Sequence, residues 1–518
     1  MKNKKEHEIT RREFIRQSAC AALEMTSMVN TMAFLRLTNA AVTSTNIFAN
    51  DYKAMVCIFL AGGNDSNNMI IPIGDPSTNP VRYDYEMGRT NLSLSETDGL
   101  HPINIPTTTQ AFKKYYSSGI SPMAIHNSAP EIAQMFNDGD LSFACNVGSL
   151  IYPIETRAQY VNNEVPLPPR LFAHDAQQMQ WQTSIADQSG AVGWGGRMAD
   201  LLHAGYNGSD SKVSMSVSLA GINTFQKGLN PETSAFALTT EGAKSMSGFG
   251  ESYSNGYESG GSFDNPIYKT SKAGIRLKLM DTLMKLTNEN LLENQYAQRL
   301  VTARKVEDVI GGSIGNADNS GVDFDAIFSN ATTSLGDQLK MVAKLITGRS
   351  ALGNRRQIFY VQVGGYDTHA DQLESQAELM AELSTSLKAF RDALVAADEW
   401  QNTVAFTASD FARTFSPNAT GTDHAWAGHQ LMMGGPVVGG ELFGHFPSLK
   451  IGEAEGSIDA DIQRGRWIPS VSVDQYASVI ARWFGVQPSE MDTIFPNLVR
   501  FNDPITSSEP NLKFLPVT

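Results

Sequence analysis

Acids and imidazoles crowd one part of the chain. Asp410, Asp423, His424 and His429 fall in a Gly- and Asn-rich segment behind an apolar β-branched run from Thr403 to Thr407. Asp367 and His369 sit two residues apart after a second such run, Gln357 to Val363, and Asp65 follows a third, Met55 to Leu60. Side chains alternate along extended backbone, so an Asp-x-His pair turns both groups to one side, where they can share one ion. Mixed oxygen and nitrogen donors suit Zn²⁺, Mn²⁺ or a similar divalent ion, with Ca²⁺ and Mg²⁺ also open. Each group alone has a plainer reading. Asp367 or Thr368 can cap a following helix, Asp410 can close an Asx turn, and Asp423-His424 can be a solvated loop. Together those readings weaken, because each must independently put acids or histidines behind a strand.

The elements that must position these groups follow from hydrophobic periodicity. Met55 to Leu60 is a continuous apolar run of strand length that ends in Gly62-Gly63-Asn64-Asp65-Ser66, which predicts a buried parallel strand running into a polar loop. Pro130 to Asp138 predicts a short helix and Leu141 to Val147 a second buried strand. A Pro-rich entry, Pro166 to Pro169, delivers His174 and Asp175 to the start of another helix. Gly193 opens a helix through Leu202, and Val213 to Leu219 alternates as a half-exposed strand does. Between Gln357–Val363 and Thr403–Thr407 the pattern from Gln372 to Ala397 is a long amphipathic helix. Strand, helix, strand is a βαβ unit, so its strands run parallel and both polar loops leave the same sheet edge. That edge is where ligands bind in open α/β sheets.

Residues 241–321 read as a helical insertion. Gly- and Ser-rich loops at 241–265 and 311–321 bracket a helical stretch whose Leu279, Leu283, Leu286, Leu292, Tyr296 and Leu300 are expected to pack in the core. Of three cysteines, Cys20 lies near the N-terminus, and Cys57 and Cys145 sit in strand-like runs as small buried hydrophobes, able to bridge only if their strands were neighbours.

Thr10-Arg11-Arg12-Glu13-Phe14-Ile15-Arg16 fits the twin-arginine export pattern, so residues 1–41 are expected to be a leader read by the twin-arginine translocase, and the protein to be periplasmic or secreted. Glu24 and Arg36 interrupt its apolar stretch, which excludes a transmembrane helix there. The chain carries a net charge of −14, and residues 1–41 hold seven Lys/Arg against four Asp/Glu, so the remainder is more acidic still. That excludes nucleic acid as a partner, since binding it requires basic neutralisation of phosphates.

Several motifs together resemble one known family. GGNDSNN, LFAHDAQQ, GWGGR, GGYDTHADQ, SDFARTFSPN, GTDHAWAGHQ, MGGPVVGG and RGRWIPSVSVDQYASVIARWFGV with IFPNL, spread over about residues 53–502, are similar to the motifs of the bacterial domain-of-unknown-function family numbered fifteen hundred and one. That family is itself similar to the alkaline phosphatase and sulfatase superfamily. The resemblance implies twin-arginine export and a three-layer α/β/α sandwich, mostly parallel, spanning 42–518, with a one- or two-metal hydrolase site at the sheet edge. Position by position it implies Asp65, Asp367, His369, Asp410, Asp423 and His424 as metal ligands. His174 is expected to touch substrate or move a proton, and Arg413 to clamp an oxyanion, because a guanidinium grips phosphate or sulfate with two hydrogen bonds.

Two departures stand out. The family often has Ser directly before the His of the LFxH motif, and here that residue is Ala173. A methyl group cannot attack, which leaves Ser66 as the nearest hydroxyl candidate in the motifs. The superfamily often follows its late Asp with His or Asn, and here Asp410 precedes Phe411. The expectation is therefore an exported metal-dependent hydrolase acting on a small anionic ester, with a non-catalytic exported binding or structural protein of the same fold as the alternative.

Overall fold

Both faces of the first strand are covered. In β1 (Lys53–Leu60), Ala54, Val56, Ile58 and Leu60 enter one apolar core and Met55, Cys57 and Phe59 enter another on the opposite face. A strand with two buried faces must be apolar throughout, which is why KAMVCIFL shows no polar alternation. Each large side chain so buried is worth about 1.5–3 kcal/mol.

The structure, a computed structural model, describes residues 51–516 apart from 117–118, 189, 191, 209–210, 244–255, 262–264 and 286–290. The twin-arginine stretch and Cys20 lie outside the described residues. Among the described residues no helix is long and apolar enough to cross a membrane.

The other strands of the main sheet are β2 (Leu141–Gly148), β3 (Ser216–Ser218), β4 (Phe236–Ala237), β5 (Arg356–Val363), β6 (Thr403–Ser409), β7 (Gly428–Met433), β8 (Leu442–Gly444) and β9 (Val471–Ser472). Their order is β8-β2-β7-β6-β1-β5-β3-β4, with β9 beside β2. All pairings are parallel except those of β7, which runs antiparallel to β6 and to β2. The chain reverses between β6 and β7 through a hairpin-like excursion, and that excursion carries the acid- and His-rich segment. A short antiparallel sheet of Ile70–Pro72, Met123–Ile125 and His101–Ile103 packs alongside.

The helices divide between the faces. α1 (Pro130–Asn137), α6 (Ser334–Thr347) and α7 (Gln372–Ala396) supply Phe136, Leu339, Leu383 and Phe390 to the first core. α2 (His174–Thr183), α3 (Trp194–Tyr206) and α8 (Val473–Phe484) supply Trp181, Met198 and Ile480 to the second. This is an α/β fold on a mostly parallel sheet. α7 connects β5 to β6 as the βαβ reading expects, and β1 lies between those two strands.

Three expectations change. Val213–Leu219 is not half exposed: Met215, Ser216, Val217 and Ser218 are buried, because helices cover both faces and β3 sits between β5 and β4. The stretch 311–318 is helix and only 319–321 is a turn. α5 (Leu291–Asp318) continues through Gly311, Gly312 and Gly315, since Ile310, Ser313 and Ala317 pack at helical spacing and their burial outweighs the poor propensity of glycine. On α4 (Lys272–Lys285) the core positions are Gly274, Leu277, Asp281 and Met284, whereas Leu279 and Leu283 face outward. The two cysteines are the buried hydrophobes expected: β7 and β6 separate Cys145 on β2 from Cys57 on β1, and the two face opposite cores, so both thiols are free.

Candidate functional site

Leu60 pairs with Val363 on one side and with Ser409 on the other, so β1, β5 and β6 end level with one another. Their loops leave one edge together. The β1 loop turns through Gly62 and Gly63, at φ +119° and +93°, a conformation that disfavours side chains. Gly62 is also where a Cβ would strike the backbone of Tyr366 and Asp367, so glycine lets the β5 loop close over the end of β1. Past β6, hydrogen bonds from Ala412 N to Trp426 O, from Ala425 N to Ala412 O and from Thr414 N to Asp423 O fold the chain back on itself and set Arg413 opposite His424. Thr422 N donates to Thr368 O and Gln372 N to Thr420 O, which fastens this excursion to the β5 loop.

The result gathers His174, Asp367 and His424, whose ligand-type atoms all lie within 4.8 Å of one another. Asp367 is central. Its Oδ1 is 3.2 Å from His424 Nε2 and 3.0 Å from His369 Nε2, and its Oδ2 is 3.5 Å from His174 Nε2. The Nε2 atoms of His369 and His424 are 3.1 Å apart. Phe411 packs against the rings of His174 and His424, at 4.8 and 4.6 Å between centroids.

On each imidazole the far nitrogen is engaged elsewhere. His174 Nδ1 lies 2.6 Å from Asp410 Oδ2, His424 Nδ1 lies 2.8 Å from the Phe172 carbonyl, and His369 Nδ1 faces Asp423 Oδ1 at 3.4 Å. A carbonyl only accepts, so His424 donates from Nδ1 and keeps a lone pair on Nε2, directed at Asp367. A carboxylate imposes the same tautomer on His174. Histidine ligands of metals are held in this way, by a carboxylate or carbonyl at the nitrogen away from the ion. The donor set, imidazole nitrogens around one carboxylate, is one that Zn²⁺ or Mn²⁺ accepts.

The loop before α2 is strained where it meets the site. Phe172 has φ +68° and Arg170 φ +55°, unusual for side chains of that size. The Arg466 guanidinium lies 4.2 Å from the centre of the Phe172 ring, and its Nε donates to His424 O at 2.8 Å. These contacts hold the strained carbonyl against His424. Such outliers persist where the surroundings over-determine them, commonly at functional sites.

Charge is balanced locally. Burial opposes ionisation of Asp367, but the hydrogen bond and charge of Arg413, with His369 and His174 beyond it, hold its carboxyl below the ordinary value. Burial, helped by His174 and Arg413, pulls His424 below the usual imidazole value against the Phe172 carbonyl and Asp367. Both directions leave these groups as ligands require, carboxylate and neutral ring.

Residues 231–461 match the family model described as Protein of unknown function (DUF1501). The DUF1501 stretch contains Asp367, His369, Asp410, Arg413, Asp423 and His424, while His174 and Asp65 lie before it. No curated protein matches the sequence. Among solved structures, the crystal structure of Ps i-CgsB in complex with k-i-k-neocarrahexaose and that of Ps i-CgsB alone are each similar at 9% identity with a TM-score of 0.29, over 88% of this chain and 77% of theirs.

Other candidates sit elsewhere or act indirectly. Asp65 is fully buried, and its Oδ2 is engaged by Arg89 and Gln372 instead of by the cluster; an isolated buried carboxylate needs such a cation. Ser66 is buried and its Oγ accepts from His429 N at 2.9 Å, fastening the β1 loop to β7. His429 stacks on Phe446 and accepts from Asn146 N, and burial pushes its ring down to about 3, so it is a neutral core residue. Arg413 is wholly buried, with hydrogen bonds to Asp367, Gly62 O and both Thr422 oxygens, which leaves it a positioning residue for Asp367 and not an open clamp. Asp410 is buried behind His174, its Oδ1 accepting from Gly62 N at 3.2 Å and its Oδ2 also from Gln178 Nε2 at 2.9 Å. Asp423, held by Arg464 and by Asn418 at 2.8 Å, stands behind His369.

Gln178, Thr422, Arg464 and the Phe172 carbonyl were not legible as site groups. Gln178 had one signal, its place one turn after His174 on the same face of a helix. Thr422, Arg464 and Phe172 lie within GTDHAWAGHQ, RGRWIP and LFAHDAQQ, but they act through backbone or through partners distant in sequence, which those motifs do not show.

Proposed function

We propose that this protein is a metal-dependent hydrolase of the phosphatase/sulfatase type, acting on a small anionic ester through one divalent ion. The observation that carries the reading is the convergence of His174, Asp367 and His424, with His369 beside them, while Nδ1 of each ring is engaged away from the centre. His174, Asp367 and His424 would hold the ion, and nitrogen-rich ligation favours Zn²⁺ or Mn²⁺ over Ca²⁺ or Mg²⁺. A divalent ion supplies Lewis-acid polarisation of a phosphate or sulfate oxygen. Asp410 and Asp423 orient His174 and His369, Arg413 keeps Asp367 ionised, and Phe411 walls the cluster on its apolar side. The alkaline-phosphatase-like α/β/α sandwich belongs to the same proposal and is supported by the mostly parallel sheet with helices on both faces.

Covalent transfer through a hydroxyl is not part of the proposal. Ala173 stands at the start of α2, where it offers only a methyl group, and Ser66 Oγ is engaged with His429 N. That same observation supports the second reading, a non-catalytic exported binding or structural protein that keeps the fold, with or without an ion. Metal-stripped protein titrated with Zn²⁺ and Mn²⁺ should bind one ion per chain, and His174→Ala or His424→Ala should abolish tight binding. Failure of the wild type to bind either ion overturns the hydrolase. Release of phosphate or sulfate from aryl esters by the loaded protein supports the hydrolase, and no release with the ion bound supports the binding protein. Periplasmic or secreted location through the twin-arginine translocase is proposed from Thr10–Arg16. Arg11→Lys with Arg12→Lys should keep the chain in the cytoplasm.

A further inference from the structure

α4 has two apolar faces. Gly274, Leu277, Asp281 and Met284 turn inward, while Ile275, Leu279 and Leu283, spaced at four-residue steps on the opposite side, are 55%, 61% and 64% exposed. A surface helix of a globular protein normally presents polar residues there. Cations flank the outward stripe. Lys272 stands at the N-terminal end of the stripe, Arg276 along one side and Lys278 and Lys285 along the other, and all four are exposed. Residues 269–285 hold five Lys/Arg and one Asp in a chain whose net charge is −14. The one acid, Asp281, is buried and accepts hydrogen bonds from the Tyr257 and Tyr268 hydroxyls at 2.6 and 3.1 Å, so it does not front the stripe.

We infer that the outward face of α4 docks on an anionic lipid surface. An apolar stripe edged by lysines is the pattern of a helix lying in the membrane interface, with Leu and Ile among the acyl chains and the ammonium groups reaching lipid phosphates. At 1.5 Å per residue this 14-residue helix offers about 21 Å of such surface. A second copy of the chain fits less well. Pairing α4 with α4 would bring lysine against lysine, whereas a phosphate-rich surface is complementary without any preformed groove. The acidic remainder of the molecule would be repelled by the same surface, which orients the protein with α4 toward the lipid. This surface is separate from the His/Asp cluster and does not depend on the proposed hydrolase activity.

The test uses the full chain with vesicles of phosphatidylglycerol and phosphatidylcholine in equal parts, and with phosphatidylcholine alone. Hydrogen exchange should slow across 272–285 on adding the anionic vesicles and stay unchanged with the neutral ones, a readout local to α4 whatever residues 1–50 contribute. Partitioning should weaken about fivefold for each of Lys272→Gln and Lys278→Gln, and the effect should shrink with added salt. Leu279→Gln with Leu283→Gln should abolish the protection, while Val499→Gln, an exposed apolar site elsewhere, should leave it intact. Wild-type exchange at 272–285 that ignores anionic vesicles overturns the inference. So does protection that grows with protein concentration in the absence of lipid, since that identifies a second copy as the occupant.

Discussion

Replacing Asp410 by Asn changes one oxygen into NH₂ and tests how the cluster is held. Asp410 accepts three hydrogen bonds in a fully buried position: Oδ1 from Gly62 N at 3.2 Å, and Oδ2 from His174 Nδ1 at 2.6 Å and from Gln178 Nε2 at 2.9 Å. Asparagine offers a single acceptor oxygen. If that oxygen faces His174 and Gln178, the Gly62 N–H is left against a donor, at a cost of about 1–3 kcal/mol. If it faces Gly62, the NH₂ group meets His174 Nδ1, and the ring is relieved only by moving its proton to Nε2, which removes the lone pair directed at Asp367. Either way His174 loses the charged acceptor that orients it and keeps at best a neutral amide oxygen. Losing such a partner lowers metal affinity by about 10–100-fold. Calorimetric titration of the metal-stripped variant with Zn²⁺, beside urea unfolding, should show both the weaker affinity and a loss of about 1–3 kcal/mol of stability. Asp175→Asn, an exposed carboxylate paired with Arg170, serves as the control and should stay within about 0.5 kcal/mol. An Asp410→Asn protein that binds Zn²⁺ as tightly as the wild type would refute the reasoning, because His174 would then not depend on Asp410.

Three further outcomes follow from the same geometry. Asp65→Asn should destabilise the protein by about 3–5 kcal/mol, since it leaves the buried Arg89 without its counter-ion, yet keep the metal affinity of the wild type; a large loss of affinity would return Asp65 to the ligand set. Gly62→Ala should cost about 1–3 kcal/mol in urea unfolding and weaken metal binding, because a side chain at φ +119° would push against the backbone of Asp367; an unaltered unfolding midpoint would show that the two loops can separate freely. Burial raises the Asp474 carboxyl to about 7, against the lowering effect of Ser184 and Arg197. With its folded value raised, the folded protein binds the extra proton between about pH 4 and 7, so this contribution is complete at the acid end and is lost at about 1.4 kcal/mol per unit as pH rises to 7. Relative to Asp474→Asn, the wild type should therefore lose about 3 kcal/mol between pH 5 and 8, and parallel pH profiles for the two proteins would refute it.

Sequence alone determined the strands whose two faces are both buried and the helix that links two of them. MVCIFL, the central IFYV of QIFYVQV and the VAF after Thr403 are apolar because they are buried between two layers of helices, with Gln362 the exposed residue near the end of its strand, and α7 is long and periodic enough to be read directly. From these it followed that Asp367, His369, Asp410, Asp423 and His424 emerge at one edge, and His174 was legible as a lone imidazole at a helix start. Which of them meet was decided only in three dimensions. A carboxylate behind a strand reads the same whether it faces a cavity or a buried arginine, and Arg89, which claims Asp65, lies 24 residues away on a different element. Arg413 reads as a free guanidinium until the excursion after β6 folds back and surrounds it with Thr422, Gly62 and Asp367. The tautomers of the three histidines depend on Asp410, Asp423 and the strained carbonyl of Phe172, and two of these three contacts join segments 236 and 252 residues apart. Local pattern fixes periodicity and burial; the direction in which a polar side chain finally points is set by whichever distant donor or acceptor reaches it first in the folded chain.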